Sequence, residues 1–214
     1  MNIPSLVLSA LPAIQAARPG SYTPVDLSGS ANFKINAIQS YPTGRVTLEG
    51  VPFELPRSRM GLQTEGQFAK GPEFFRIEAD VRKVTAVHIL LQGTIVRPKF
   101  RDLKVGEIVL EFKDGKKQKF PIIAWRTLRD TWASVGKEQE PQTRGNPRLS
   151  NVYKEPQTRG KISALGLMDM YTIDLEKKVF GNDLKAIEIR DMSRETVGDI
   201  APSLIVTGIT VKHE

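Results

Sequence analysis

From Tyr22 almost to its C-terminus, this chain alternates apolar and polar residues in short runs, with Gly, Pro, Asn or Asp between one run and the next. A period of two sends successive side chains to opposite faces of an extended strand, so each run reads as a strand with one face for a core. Phe75, Ile77, Ala79 and Val81 interleave with Phe74, Arg76, Glu78 and Asp80. Ile108, Leu110 and Phe112 interleave with Glu107, Val109 and Glu111; Asp114-Gly115 then offers a two-residue turn, and residues 119–123 return as the second arm of a hairpin. Residues 86–91 are apolar on both parities apart from His88, as expected of a central strand covered on both sides. Further strands are expected at 22–27, 33–38, 45–48, 167–175, 184–192 and 204–211. Another bends at Gly50-Val51-Pro52-Phe53 and stops at Pro56, because proline cannot donate to a ladder. No helical face extends beyond about three turns. The pattern specifies an all-β sandwich with little helix.

At 214 residues the chain can bury a full core as one domain. With 40% apolar and 26% charged residues it has the composition of an ordinary globular protein, neither disordered nor membrane-embedded. Lys and Arg number 31 against 24 acidic residues, a net +7 that favours anionic partners. The basic residues are dispersed, so no specific nucleic-acid partner is expected. The one tight run, Lys113, Lys116, Lys117 and Lys119, reads as a solvated hairpin tip in preference to a phosphate-binding patch, since strand ends carry lysine to discourage edge pairing. The absence of cysteine excludes disulfides, a thiolate nucleophile and Cys-based zinc sites.

Residues 1–21 are set apart from the sandwich expected over 22–214. Residues 3–17 form an apolar stretch ending in small residues, as a secretory signal would, but no positive charge precedes it and Pro4 and Pro12 interrupt it. It is too short to span a bilayer. Two readings stand: a signal remnant, or an apolar arm packed on this domain or a neighbouring copy. Between Trp125 and Lys161 the alternation gives way to Arg, Gln, Pro, Gly and Asn, and the hexapeptide Glu-Pro-Gln-Thr-Arg-Gly occurs twice, from Glu140 and from Glu155. Six residues are too few for a repeat architecture. The region reads as a long irregular basic loop containing a duplication, and loops of this length tend to bind.

Several segments taken in order resemble a galactose-binding-like domain, of the kind found as carbohydrate-binding accessory modules of secreted bacterial proteins. They are Val25-Asp26-Leu27-Ser28 with Ala31-Asn32, residues 44–53, residues 87–91, Val105-Gly106-Glu107 leading to Asp114-Gly115, Asp130-Thr131-Trp132, and residues 187–193 with 202–207. The resemblance implies a single jelly-roll β-sandwich of two antiparallel sheets, a non-enzymatic binding or structural role, and an extracellular or cell-surface location. Jelly rolls of this type can hold calcium, with Asp26 as the contributor the resemblance points to, although no EF-hand-like spacing of oxygens supports a site. Residues 125–161 have no counterpart in this comparison.

Sugar sites pair an aromatic face with a few polar groups for the hydroxyls. Trp125, Trp132 and Tyr153 lie in or beside the irregular region, with Arg126, Arg129, Asp130 and Asn151 near them in sequence, and these seven are the candidate ligand-binding residues. Against this, a tryptophan following a strand often plugs the end of a sandwich core, the favoured reading for Trp125; for Trp132 the two readings are balanced. His88, mid-strand, is expected to be a half-buried histidine with one satisfied nitrogen. With His213 the only other histidine, neither a multi-histidine metal site nor a supported Ser-His-Asp triad can be assembled. No carboxylate pair is singled out by spacing, and Gly160-Lys161-Ile162 lacks the Ser or Thr of a phosphate loop. The leading expectation is a non-catalytic secreted carbohydrate-binding or cell-surface accessory domain, with an acidic glycan among its candidate ligands. The second is a self-assembling subunit of an extracellular fibre, tube or coat, joined through the N-terminal arm and sheet edges.

Overall fold

The structure, a computed structural model, describes residues 20–34, 42–56, 60–67, 69–94, 96–134, 142–159, 162–175 and 183–214. The apolar N-terminal stretch therefore lies outside the described residues, as do Glu140, Pro141 and Gly160 of the hexapeptides.

The described residues form three antiparallel sheets. The largest runs β2 (Phe33–Lys34), β5 (Met60–Gln63), β14 (Ser203–His213), β7 (Val84–Thr94) and β12 (Ile162–Asp174). Beside β14, β1 (Ser21–Val25) continues the edge begun by β5, while β10 (Trp132–Ser134) and β11 (Arg148–Arg159) flank β12. The second sheet runs β6 (Phe74–Val81), β13 (Leu184–Asp191), β8 (Lys104–Phe112) and β9 (Lys117–Ile123). The third is a hairpin of β3 (Gly44–Leu48) and β4 (Val51–Leu55). Among the described residues helix is limited to α1 (Ser193–Val197) and two single 3-10 turns.

Numbering β5 to β9 and β12 to β14 as eight consecutive strands gives the order 1-8-3-6 in the large sheet and 2-7-4-5 in the second. This is jelly-roll connectivity: each crossing between sheets pairs strands distant in the chain. The expected two sheets are thus present, with a third, the β3–β4 hairpin, added to the outer face of the large one.

The main core lies between the two large faces. Val87, Ile89 and Leu91 of β7, Ile209 and Val211 of β14, and Tyr171 and Ile173 of β12 meet Ile108, Leu110 and Phe112 of β8 and Ile187 and Ile189 of β13. Each aliphatic side chain so buried contributes about 1.5–3 kcal/mol. Tyr171 crosses the whole layer and donates its hydroxyl to Pro121 O at 2.9 Å, tying β12 to β9. A smaller second core forms on the other side of the large sheet, where Leu90, Met168, Met170 and Ile205 meet Val51, Phe53 and Leu55 of β4. That explains why β7 is apolar on both parities.

Three local expectations need correction. The chain does not bend as one strand at residues 50–53; it reverses, with Glu49 and Gly50 both at positive φ (47° and 78°) in a two-residue hairpin turn. The Asp114-Gly115 hairpin is present, but its loop spans residues 113–116, closed by Phe112 N–H donating to Lys116 O at 2.9 Å, with Gly115 at φ 86°. And the region 125–161 is not one long loop: it contains β10 and the 12-residue strand β11, which pairs along β12 from Arg148↔Thr172 to Arg159↔Ile162. The two hexapeptides differ in conformation. Glu155 to Arg159 are strand, whereas Arg144 and Gly145 of the first copy lie in a bend. Pairing with β12 decides the difference, since the six residues are the same.

The outer face of the four-stranded sheet is a lattice of ion pairs. Arg76 on β6 reaches Glu111 and Glu188, each at 2.8 Å; Lys117 meets Glu111 at 3.2 Å, Lys119 meets Glu107 at 3.5 Å, and Arg190 pairs with Glu188 at 2.5 Å. Opposite charges facing each other across strands stabilise the sheet surface, and their stems cover the wholly buried Val109. Lys113 pairs with Asp80 and Lys116 with Asp114, so every lysine of the basic run has a carboxylate partner.

Candidate functional site

The seven residues singled out from sequence fall into separate groups. Trp125, at φ 71°, packs part-buried against the main core and donates Nε1–H to Arg97 O at 3.0 Å, while the Arg101 guanidinium lies 5.4 Å from its ring. This is the core-plug geometry. Arg126 is exposed and pairs with Asp102 at 2.6 Å. Arg129 is buried and forks onto the equally buried Asp169, whose carboxylate also accepts Asn151 Nδ2–H at 3.0 Å. The Asp130 carboxylate accepts the Val96 backbone N–H at 2.8 Å. Arg129, Asp130 and Asn151 therefore serve the interior and its loops; a guanidinium enclosed on a carboxylate is not presented to a glycan. Trp132 and Tyr153 lie on β10 and β11, and their side chains are outside those described. Asp26 is exposed and accepts the Ser28 N–H at 2.8 Å, a local turn contact that holds its carboxyl below its ordinary value. Among the described residues no three His, Asp or Glu side chains gather as a metal site.

A larger feature lies on the outer face of the large sheet. A cleft of about 1080 Å³ opens beside the β3–β4 hairpin, floored by β11, β12, β7, β14 and β1. Strand register fixes its floor in rungs. Asp174, Ala86, Lys212 and Tyr22 stand abreast on four adjacent strands. The next rung is Arg148, Thr172, His88 and Thr210, and the third begins Ser150, Met170 and Leu90. Glu49 and Val51, at the hairpin turn, line it from the hairpin side, and His213 and Glu214 line it as well. The floor thus changes from apolar near the hairpin core to polar at the rim.

Its polar groups are held in place. Arg148 pairs with Asp174. Asn146 clamps the Asp174 backbone from both sides, its Oδ1 accepting the Asp174 N–H at 2.9 Å and its Nδ2 donating to Asp174 O at 2.6 Å. The Lys212 ammonium lies 5.8 Å from the centre of the Tyr22 ring, within cation–π range. Tyr22 and His88 have ring centres 6.1 Å apart, tilted by 45°. His88 Nδ1 is 3.2 Å from Thr172 Oγ1, and Nε2 is buried without a hydrogen-bond partner among the described residues. Burial, together with the positive charges of Arg148 and Lys212, lowers the imidazole to about 4, so it is neutral at physiological pH.

A second, smaller cleft of about 470 Å³ lies at the sandwich end between Glu65 and Asp199. Arg194 bridges it, paired to both at 2.5 and 3.6 Å, and among the described residues no aromatic side chain lines it. The cleft over the large sheet is the better-equipped site, with an aromatic ring, a fixed ion pair, hydroxyls and an unsatisfied imidazole nitrogen on one surface. Of these residues, His88 is expected from sequence as a half-buried histidine with one satisfied nitrogen; it is buried, with Nδ1 partnered by Thr172, and the others, spread from Tyr22 to Lys212, are brought together by the strand register. No helix among the described residues is long and apolar enough to cross a membrane.

No protein-family model matches this chain, and no curated protein or solved structure matches it.

Proposed function

We propose that this chain is a non-catalytic carbohydrate-binding domain, acting outside the cell or at its surface, and that its glycan lies in the cleft over the large sheet. The observation that carries the reading is Tyr22 on the same surface as the Arg148–Asp174 pair, Ser150 and Thr172. A sugar ring offers an apolar C–H face and a rim of hydroxyls that both donate and accept. An aromatic side chain suits the first, and an ion pair with neighbouring hydroxyls suits the second without bringing net charge. Asp174 is committed to Arg148, which suits recognition more than acid–base chemistry. This reading moves the site from the Trp125–Tyr153 region to the sheet surface.

The test is retention of the folded chain on a panel of immobilised neutral and acidic polysaccharides. Retention that falls at least tenfold in Tyr22→Ala and in Arg148→Ala, with unchanged circular dichroism, is the expected result. No retention on any polysaccharide removes the reading.

Self-assembly is the second reading, and exposed Phe74 on edge strand β6 favours it. Against it, β6 also carries Arg76 and Glu78, and the opposite edge β9 carries Lys117, Lys119 and Pro121, residues that discourage strand addition. A chain that sediments only as a monomer removes this reading.

A further inference from the structure

We propose that His88 is the residue that selects the ligand of this cleft, that its Nε2 meets a sugar hydroxyl, and that the ligand is an uncharged saccharide. This inference rests on the proposed carbohydrate reading and deepens it.

The imidazole is 5% exposed and lies in the middle of the second rung, between Thr172 and Thr210, on the face that lines the cleft. Its Nδ1 is occupied by Thr172 Oγ1. Its Nε2 is unpaired among the described residues, and a buried polar atom without a partner is costly unless something else meets it. Gln92 and Thr207 also carry unpaired atoms on β7 and β14, but neither lines the cleft. His88 is the orphan that a ligand in the cleft can reach.

The partner follows from the chemistry of a neutral imidazole. Depending on which way the Thr172 contact runs, Nε2 presents either an N–H or a lone pair. A hydroxyl complements both, whereas a cation fits only the lone pair and an anion only the N–H. The charges around the cleft agree. Arg148 is already matched by Asp174, and among the described residues that line the cleft two cations, Arg148 and Lys212, stand with three carboxylates, Glu49, Asp174 and Glu214. Nε2 has almost no open surface in the unliganded chain, and the Tyr22 ring is its aromatic neighbour. Contact with the sugar therefore requires the part-buried Tyr22 ring beside the imidazole to give way as the sugar enters.

The experiment is a titration of the full chain, with 15N-labelled histidine, against neutral gluco-, galacto- and manno-oligosaccharides, uronic-acid oligomers and inorganic sulfate, followed through the imidazole nitrogen signals. The expected result is a saturable shift of His88 Nε2 with a neutral oligosaccharide, absent with sulfate, and a loss of affinity of at least tenfold in His88→Phe that His88→Gln partly restores. A neutral sugar that binds and perturbs Tyr22 and Arg148 while His88 Nε2 stays fixed, and while His88→Phe and His88→Gln both keep full affinity, overturns the role of His88 and leaves the carbohydrate reading standing. Binding of uronic-acid oligomers alone overturns the uncharged ligand class. Failure of every sugar to bind removes the carbohydrate reading and this inference with it.

Discussion

The Arg129 guanidinium forks onto the Asp169 carboxylate, with Nε 2.7 Å from Oδ2, and the two side chains are only 5% and 1% exposed. One comes from the segment after β9 and the other from β12, so the pair fixes the entry to β10 against the large sheet. Removing one member leaves the other charged and enclosed. We predict that Arg129→Met costs about 3–5 kcal/mol in urea denaturation, and that adding Asp169→Leu recovers much of the loss, because taking out both charges removes the desolvation cost together with the attraction. A loss below about 1 kcal/mol in the single variant would show that the pair is solvated.

His88 predicts a pH dependence. Its folded value of about 4 lies below the ordinary 6.5, so between those limits the unfolded chain binds more protons than the folded one. Its neutral, buried state therefore adds stability in full above pH 6.5, and that stability is lost as pH falls toward 4, at up to about 1.4 kcal/mol per pH unit. Denaturant midpoints of wild type and His88→Gln should converge across this window as the acid is approached. Parallel curves would show that the imidazole is not held neutral.

Glu111 acts at lower pH. Arg76, Lys185 and Lys117 hold its carboxyl below its ordinary value of 4.5, so its contribution is present above that value and is lost as pH falls further. Glu111→Gln should lower the melting temperature at pH 7 by clearly more than it does at pH 2, measured by scanning calorimetry. An equal drop at both pH values would assign the effect to packing instead of charge.

Gly208 lies on the sheet directly beneath side chains of the β3–β4 hairpin. A Cβ there would stand 2.8 Å from Leu55 Cδ2 and 3.1 Å from both Leu90 Cδ1 and Phe53 Cδ1. Gly208→Ala should therefore destabilise by about 1–3 kcal/mol through overpacking of the second core, read as a shift in denaturant midpoint. A neutral result would mean that β3–β4 can shift away from the sheet without loss.

How far the residues themselves disclosed this fold depends on how each strand is made. β6, β7 and β8 announce themselves because one or both faces are buried and the side-chain pattern must follow. β11 does not: it is rich in Arg, Gln, Asn and Pro, flanks β12, and is strand because β12 offers it a partner. The duplicated hexapeptide makes the same point, with one sequence in two conformations. The Glu49-Gly50 turn was hidden by Val51-Pro52, which reads equally as a bend. Arg129 has the composition of a surface contact, and only the position of Asp169, 40 residues later, turns it into an interior group. The cleft was the least legible feature, since Tyr22, His88, Arg148, Thr172 and Lys212 become neighbours through register alone.

The most direct measurement of the account is a map of backbone amide shifts in the full chain during titration with the neutral oligosaccharide that it retains best. The account predicts saturable changes concentrated at Tyr22, His88, Arg148, Ser150, Thr172 and Lys212, with Trp125 and Arg126 unaffected. Changes gathered instead around Trp125, Arg126 and Trp132 would contradict it and return the site to the end of the sandwich.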